Sequence, residues 1–336
     1  VNDASQLTVL VTGATGNLGT SVVDALTRNP RVGRIIGLAR RAPTSQPDRT
    51  TFVEADIAKD DLLPFFSNVD VVVHLAWQFQ PTRDPAHTWS ANVLGALAVF
   101  DAAARAHVPS LIYSSSVGAY APGPKDTAVK EDWPTHGWPG AAYTREKSYL
   151  ERALDAFELE HPSMRIVRIR PAFVFKPEAS TEQRRLFAGP FLPPQLVRPE
   201  LIPFVPKLPG LVFQAVHSAD VGDAFSRAAT NHAHGAFNIA AEPPVTAAVL
   251  ADVLGARVVP VPVMPVRALV LLLWKLRIVP TSPDLLDAVL RLPLMDTSRA
   301  RTELGWQPRH TSAEALSEFV RGVHEVRDAP TPPLSE

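Results

Sequence analysis

The chain has 336 residues, a formal net charge of −1 at pH 7, 46% hydrophobic residues and no cysteine. That length suits one large α/β domain, or a Rossmann domain with a smaller lobe, and leaves apolar material for a sizeable core. Without cysteine there is no disulfide, thiolate nucleophile or sulfur-ligated metal, and no block of basic charge is present to recommend a nucleic-acid partner.

The first seven residues lack the basic start and long apolar core of a signal peptide, so a cytoplasmic location is expected. Residues 7–11 form an apolar run ending at Thr12 and Gly13, followed by a glycine-rich turn and a helical pattern over 18–28. Apolar runs at 34–39 and 51–54, and a β-branched run at 69–75, predict further strands. Helix-like stretches fall at 59–66 and 88–107. A fifth strand at 111–114, a long helix at 143–160 and a sixth strand at 166–170 complete the regular part. Continuous apolar strands divided by helices indicate a parallel sheet covered on both faces.

Beyond Pro171 the pattern becomes irregular and proline-rich, above all at 190–209 and 260–283. Residues 237–239 read as a return to the sheet, and 247–254 and 311–326 as helices. The greasiest run, 268–274, is far short of the about 20 residues a membrane span needs. It reads as a core or pocket-lining helix, and no membrane partner is expected. The fold class is therefore α/β, a Rossmann doubly wound parallel sheet over residues 1–175. Residues 176–336 form mainly a small C-terminal substrate-binding lobe, from which about 211–240 returns to the Rossmann domain.

The glycines of Thr12-Gly13-Ala14-Thr15-Gly16-Asn17-Leu18-Gly19 follow the spacing GxxGxxG between the first strand and the first helix. There Gly13 permits the tight turn, Gly16 lets the backbone approach a pyrophosphate, and Gly19 allows helix and strand to pack closely. The helix N-terminus offers unpaired N–H groups to the anion. Thr15, Asn17 and Leu18 belong to the same expected dinucleotide cradle. About 20 positions further on, an acidic residue would accept the ribose 2′-hydroxyl. Ala39, Arg40 and Arg41 stand there instead. Two guanidiniums suit a 2′-phosphate, so NADP is expected, with NAD as the alternative. A solvated basic turn is the bland reading of the pair. Asp56 and Ile57 are placed to meet the adenine, although Asp56 would serve equally as a helix N-cap.

Tyr143 and Lys147 are four apart, on one face of a helix. A free tyrosine, with a pKa of about 10, is a poor base at neutral pH. A nearby ammonium favours its phenolate, as does an oxidised nicotinamide, and Lys147 can also hold the nicotinamide ribose. Tyr113-Ser114-Ser115-Ser116 ends the fifth strand at the sheet edge where ligands bind. A hydroxyl there can orient a substrate oxygen while Tyr143 exchanges its proton.

In this order, the glycine turn, the serine-bearing strand end and the YxxxK pair resemble the short-chain dehydrogenase/reductase superfamily. The glycine spacing is similar to its extended, epimerase/dehydratase-like branch, and the resemblance runs along most of the chain. It implies that Ser116 carries the catalytic hydroxyl. It also implies that His74-Leu75-Ala76, with Trp77 following, lies beside the nicotinamide ribose. Arg170-Pro171 would reach the nicotinamide amide, with Ser114 and Phe173 close by. Val216-His217-Ser218-Ala219-Asp220-Val221 and Leu304-Gly305-Trp306-Gln307-Pro308 are similar to the family's C-terminal landmarks. Asn92 sits where the family has a relay or structural asparagine, and a buried Asn satisfying backbone groups fits as well. Helices 88–107 and 143–160 resemble the family's dimer helices, which implies a homodimer.

The departures bear on the substrate. Relatives that dehydrate sugar nucleotides carry an acidic pair after the catalytic hydroxyl, where this chain has Val117 and Gly118. Sugar-nucleotide members often place an arginine four residues before the histidine of the His217 motif and an asparagine three after the sixth-strand arginine. Here those positions are Phe213 and Phe173. A diphosphate left unpaired would be costly to bury, so the pocket reads as built for an apolar molecule. Phe79, Ser116, Trp133, Phe173 and Phe213 are the expected substrate contacts, with Trp138, Leu186, Phe187 and Phe191 as further lining. Arg184, Arg185 and Arg198 keep an anion site open, and His136 reads as a loop residue without chemistry.

The reading is an NADP-dependent oxidoreductase that moves hydride between the nicotinamide and a carbonyl or secondary alcohol of a largely apolar small molecule. Ser116 orients the oxygen, Tyr143 is the acid/base, and Lys147 tunes Tyr143 and holds the ribose. No metal is called for. The alternatives are a sugar-nucleotide epimerase or reductase, and a non-catalytic NADP-sensing regulator.

Overall fold

β1 (Leu7–Thr12) buries Val9 and Val11 in one hydrophobic cluster and Leu10 in another. Alternate side chains of a strand point to opposite faces, so β1 must be covered on both. The computed structural model, which describes residues 6–43, 46–78, 83–179 and 203–325, shows how. β2 (Val32–Ala39), β3 (Thr50–Glu54), β4 (Val71–His74), β5 (Ser110–Ser114), β6 (Arg165–Pro171) and β7 (Gly235–Ile239) join β1 in a seven-stranded sheet. The order is β3-β2-β1-β4-β5-β6-β7 and every pairing is parallel.

α1 (Asn17–Thr27) covers one face through Val22, Val23 and Leu26. α2 (Gly95–Arg105) and α3 (Ala142–Glu160) cover the other through Ala96, Val99, Leu150 and Leu154. α4 (Ser218–Thr230) returns to the first face with Val221, Ala224 and Phe225, and β7 follows it into the sheet beside β6. The strand order reverses between β1 and β4, which opens a crevice at the carboxyl ends of the strands.

The remaining chain is less regular. Strand Phe173–Phe175 pairs with Ala215–His217, and Phe204–Lys207 with Arg257–Pro260. α5 (Ala247–Leu254) packs on the second of these small sheets through Ala247 and Ala251. α6 (Val263–Lys275), α7 (Pro283–Val289) and α8 (Ser312–Glu325) follow.

Three expectations change. Between 59 and 66 only a four-residue 3-10 helix, Leu63–Phe66, forms. Asp56 and Asp61 accept hydrogen bonds from the N–H groups of Ala58 and Leu63, holding the chain in local turns that compete with a helix. The stretch 88–107 is interrupted: a short helix, Pro85–Thr88, passes through a π-helical segment, Trp89–Leu94, before α2. The apolar run 268–274 is neither core nor cleft lining, because no residue of α6 is buried and none lines the cleft. Among the described residues, no helix is long and apolar enough to cross a membrane.

Candidate active site

The cleft begins where β1 and β4 end. Thr12 Oγ1 lies 2.7 Å from His74 Nδ1 and accepts hydrogen bonds from the N–H groups of Leu75 and Ala76, both at 3.2 Å. Gly13 follows with φ +69°, and a Cβ there would stand 2.7 Å from the Ala76 backbone. Only glycine meets both demands. The two loops are thereby locked side by side, and α1 starts at Gly16 with no side-chain cap on its N–H groups.

The resulting cleft has a volume of about 400 Å³. Gly13, Thr15, Gly16, Asn17 and Leu18 line it, as do Arg40, Asp56 and Ile57 from the ends of β2 and β3. Leu75, Ala76, Trp77, Ser114, Pro171 and Phe173 line its middle. Arg41, expected to act with Arg40, is exposed but does not line the cleft. Asp56 lies in the wall, yet its carboxylate holds the Ala58 N–H and pairs with Lys59 at 3.3 Å, so it caps a turn as well. The uncapped helix start fits a pyrophosphate. The buried Asn17 Oδ1 and Trp77 Nε1 have no hydrogen-bond partner among the described residues, and both residues line the cleft. This set of donors with one acceptor suits a dinucleotide.

Ser116, Tyr143 and Lys147 meet at the far side of the cleft. Ser116 ends β5 and accepts a hydrogen bond from the Gly118 N–H at 3.0 Å, which fixes its side chain. It is also hydrogen-bonded to Tyr143. Gly118 lies flat against the tyrosine: a Cβ there would come 2.7 Å from Tyr143 Cε1. A side chain at position 118 would therefore displace the Tyr143 ring. Burial pushes the Tyr143 hydroxyl up to about 12, opposed by its hydrogen bond to Ser116 and reinforced by Glu146. Burial likewise pulls the Lys147 ammonium down to about 7, against the pull of Glu146 and Glu151. Lys147 Nζ donates to Ser114 O at 2.7 Å and sits 3.5 Å from the centroid of the Trp77 ring.

Two buried carboxylates escape notice in the sequence. Glu146 accepts from Thr88 Oγ1 at 2.6 Å and from Asn92 Nδ2 at 2.8 Å. Asn92, turned inward by the π segment, also holds the N–H of Gln78 at 2.7 Å and its carbonyl at 3.2 Å. It thus serves backbone groups and ties the loop after β4 to α3. Glu151 accepts from Ser115 Oγ at 2.5 Å and from both Nε and Nη2 of Arg170 at 2.9 Å. Burial would raise its pKa, but its bonds to Arg170 and Arg168 prevail and hold it at about 2. The available signal was the stripe Tyr143, Lys147, Glu151 at i, i+4, i+8. Arg170 is engaged with Glu151 and Tyr120, so of the pair expected near the nicotinamide amide only Pro171 reaches the cleft.

Phe173 and Phe175 line the cleft together with Leu285, Ala288, Val289 and Leu292, from α7 and the residues after it. The α7 wall was not anticipated, since nothing in a short apolar stretch says where it docks. Phe213 packs against Phe173, with centroids 5.1 Å apart, but belongs to the cluster around Ala215, Val245 and Leu316 and does not line the cleft. Trp133 also departs from expectation: its Nε1 donates to Ala121 O and its ring packs on the main core. Trp138 stacks with Arg291, and His136 is exposed in a loop. Phe79, Arg184, Arg185, Leu186, Phe187, Phe191 and Arg198 lie outside the described residues.

A family model described as the NAD dependent epimerase/dehydratase family matches residues 9–240. An uncharacterized protein of Mycobacterium tuberculosis is 29% identical over 324 residues, covering 94% of this chain and 83% of its own length. A UDP-glucose 4-epimerase of Mycolicibacterium smegmatis is 30% identical over 185 residues, 50% of this chain and 56% of that protein. A decarboxylating sterol-4-alpha-carboxylate 3-dehydrogenase of Candida albicans is 27% identical over 180 residues, 50% and 51% of the two chains. Among solved structures, the UDP-glucose 4-epimerase of Thermotoga maritima superposes with a TM-score of 0.70 at 22% identity, covering 95% of this chain and 99% of that one.

Proposed function

The chain belongs to the NAD-dependent epimerase/dehydratase family, the extended branch of the short-chain dehydrogenases/reductases, and from that premise we propose that it is an NADP-dependent oxidoreductase acting on a carbonyl or secondary alcohol of a largely apolar small molecule. The observation that carries the substrate class is the charge of the cleft. Among its described lining residues the only cations are Arg40, at the end formed by β2 and β3, and Lys147, at the tyrosine. Neither stands at the wall made by Phe173, Phe175 and α7, so the described residues offer a substrate diphosphate no counter-charge there.

A bound nicotinamide supplies or accepts the hydride. Ser116 orients the substrate oxygen, and the Tyr143 hydroxyl gives that oxygen its proton in reduction or removes it in oxidation. Lys147 carries the positive charge that holds a ribose hydroxyl and favours the phenolate. Arg40 is the group for a 2′-phosphate, with Arg41 at most a peripheral aid. Phe173 contacts the substrate and Phe213 supports Phe173 from behind. Exposed Leu94 and Tyr149, 52% and 43% accessible beside α2 and on α3, support a homodimer through these helices.

The rival reading, a sugar-nucleotide epimerase, draws on the activity of the M. smegmatis and T. maritima relatives. The sterol dehydrogenase speaks for an apolar substrate. Calorimetric titration of the NADP-loaded protein with UDP- and dTDP-sugars, and then with aryl and cyclic ketones, separates the two. Binding of the ketones is expected. Micromolar binding of a sugar nucleotide, with no ketone bound, would replace this reading by its rival.

A further inference from the structure

α6 (Val263–Lys275) is apolar around most of its circumference, yet none of its residues is buried. A helix of that composition belongs inside a core. One side rests on α7, where Arg267 pairs with Asp287 at 2.9 Å. The other side presents Met264, Leu269 and Leu272, which are 73%, 54% and 54% exposed. Leu276 and Ile278, just past the helix, are exposed too. Strand Arg257–Pro260 leads into α6 and exposes Val258 and Val259, while its partner strand exposes Phe204. An apolar surface this continuous marks a contact with another body.

Along the chain through the patch the charge has one sign, although Arg267 is paired with Asp284 and Asp287 of α7. Acidic residues occupy 34 of 336 positions, but none falls between Asp252 and Asp284, where the charged residues are Arg257, Arg267, Lys275 and Arg277. Arg83 adds a further cation, stacked 4.6 Å from the Trp274 ring. Lys275 and Arg277, both exposed, form no ion pair among the described residues. A second copy docked through this patch would set cations against cations, because a two-fold interface pairs a surface with itself. An apolar interior with an anionic rim is what a bilayer containing acidic lipid offers.

We infer that α6 docks the protein peripherally on an anionic lipid bilayer, with Met264, Leu269 and Leu272 entering the interface and Lys275 and Arg277 among the headgroups. With 13 residues, α6 lies in the interface and does not span it. Its inner neighbour α7 supplies the apolar wall of the cleft, so docking brings that wall close to the lipid. This proposal departs from the expectation of no membrane partner, and it holds whichever substrate the cleft takes.

The test is flotation of the whole protein with vesicles of phosphatidylcholine alone, or of phosphatidylcholine with phosphatidylglycerol, at low and high salt. Binding to the anionic vesicles is expected, weakened by salt and more than about tenfold weaker without phosphatidylglycerol. Leu269→Glu with Leu272→Glu abolishes it. Lys275→Glu with Arg277→Glu lowers it more than about tenfold, since each cation near an anionic surface strengthens binding about fivefold. Both pairs of changes are on the surface and leave NADPH affinity at the parent value. Failure of the folded parent to bind anionic vesicles would overturn the inference, as would equal binding after both pairs of changes. A dimer by sedimentation equilibrium that Leu269→Glu with Leu272→Glu splits, without vesicle binding, assigns the patch to self-association and overturns it as well.

Discussion

The ammonium of Lys147 lies 3.5 Å from the centroid of the Trp77 ring, in a site where burial holds its pKa at about 7. The ordinary value is 10.5. Between the two, the unfolded chain binds a proton that the folded, cofactor-free protein does not. The contribution of Lys147 to stability is therefore fully present above about 10.5, declines as pH falls below it, and is lost once pH falls through 7. Urea midpoints across this window should rise with pH in the parent, and Lys147→Met should flatten that rise. Trp77→Leu removes a cation–π attraction of about 1–2 kcal/mol, which lowers the folded pKa by about one further unit. Parallel pH profiles for the parent and Lys147→Met would refute the coupling.

Arg40 lines the cleft and Arg41 does not. A charge-assisted contact with a 2′-phosphate contributes about 1.5–3 kcal/mol, so Arg40→Ala should weaken NADPH at least about tenfold and leave NADH little changed. Arg41→Ala should have a much smaller effect. Quenching of tryptophan fluorescence by each cofactor measures these affinities in the parent and both variants, and equal losses for NADPH and NADH in Arg40→Ala would remove the basis for NADP.

Gly118→Ala should disable catalysis while leaving every reacting group chemically unchanged. Its new Cβ would meet Tyr143 Cε1 at 2.7 Å, so the ring must shift. Displacement of about 1 Å in a reacting group costs about a hundredfold in turnover. Cofactor affinity, measured by the same quenching, should change far less. Normal turnover in this variant would show that the tyrosine position is not set by Gly118.

Glu151 joins α3 to β6 through Arg170 and Arg168 while fully buried. Leaving those guanidiniums unpaired in Glu151→Gln should cost about 3–5 kcal/mol. Because its folded pKa is about 2 against an ordinary 4.5, its contribution is present above 4.5 and is lost as pH falls toward 2. The parent should thus lose stability through that window more steeply than the variant, as followed by circular dichroism. Identical acid unfolding curves would contradict this role.

The parts of the molecule legible in the sequence are those set by short-range geometry. A strand, a GxxGxxG turn and a helix can be read locally, and so the parallel sheet and the cleft edge with Gly13, Gly16 and Asn17 emerge from spacing. The four-residue interval between Tyr143 and Lys147 likewise fixes a shared helix face. Side-chain direction over long separations is not written locally. Trp133 turns to Ala121 and Phe213 lies behind Phe173, because the packing of a lobe built from irregular segments decides each. The inward turn of Asn92 depends on a π-helical residue that no periodicity announces. The exposure of α6 contradicts its composition outright, since an apolar period alone cannot tell a core from a docking surface.

Net hydride transfer to an apolar carbonyl at Tyr143 is the reaction proposed for this cleft. The most direct measurement supplies NADPH deuterated at C4 and a panel of aryl and cyclic ketones, following nicotinamide absorbance and the label in the product. Stoichiometric NADP⁺, deuterium at the new carbinol carbon and a loss of at least about a hundredfold in Tyr143→Phe are predicted. Conversion of UDP-glucose to its 4-epimer with the cofactor unconsumed, and no ketone reduced, would contradict the account.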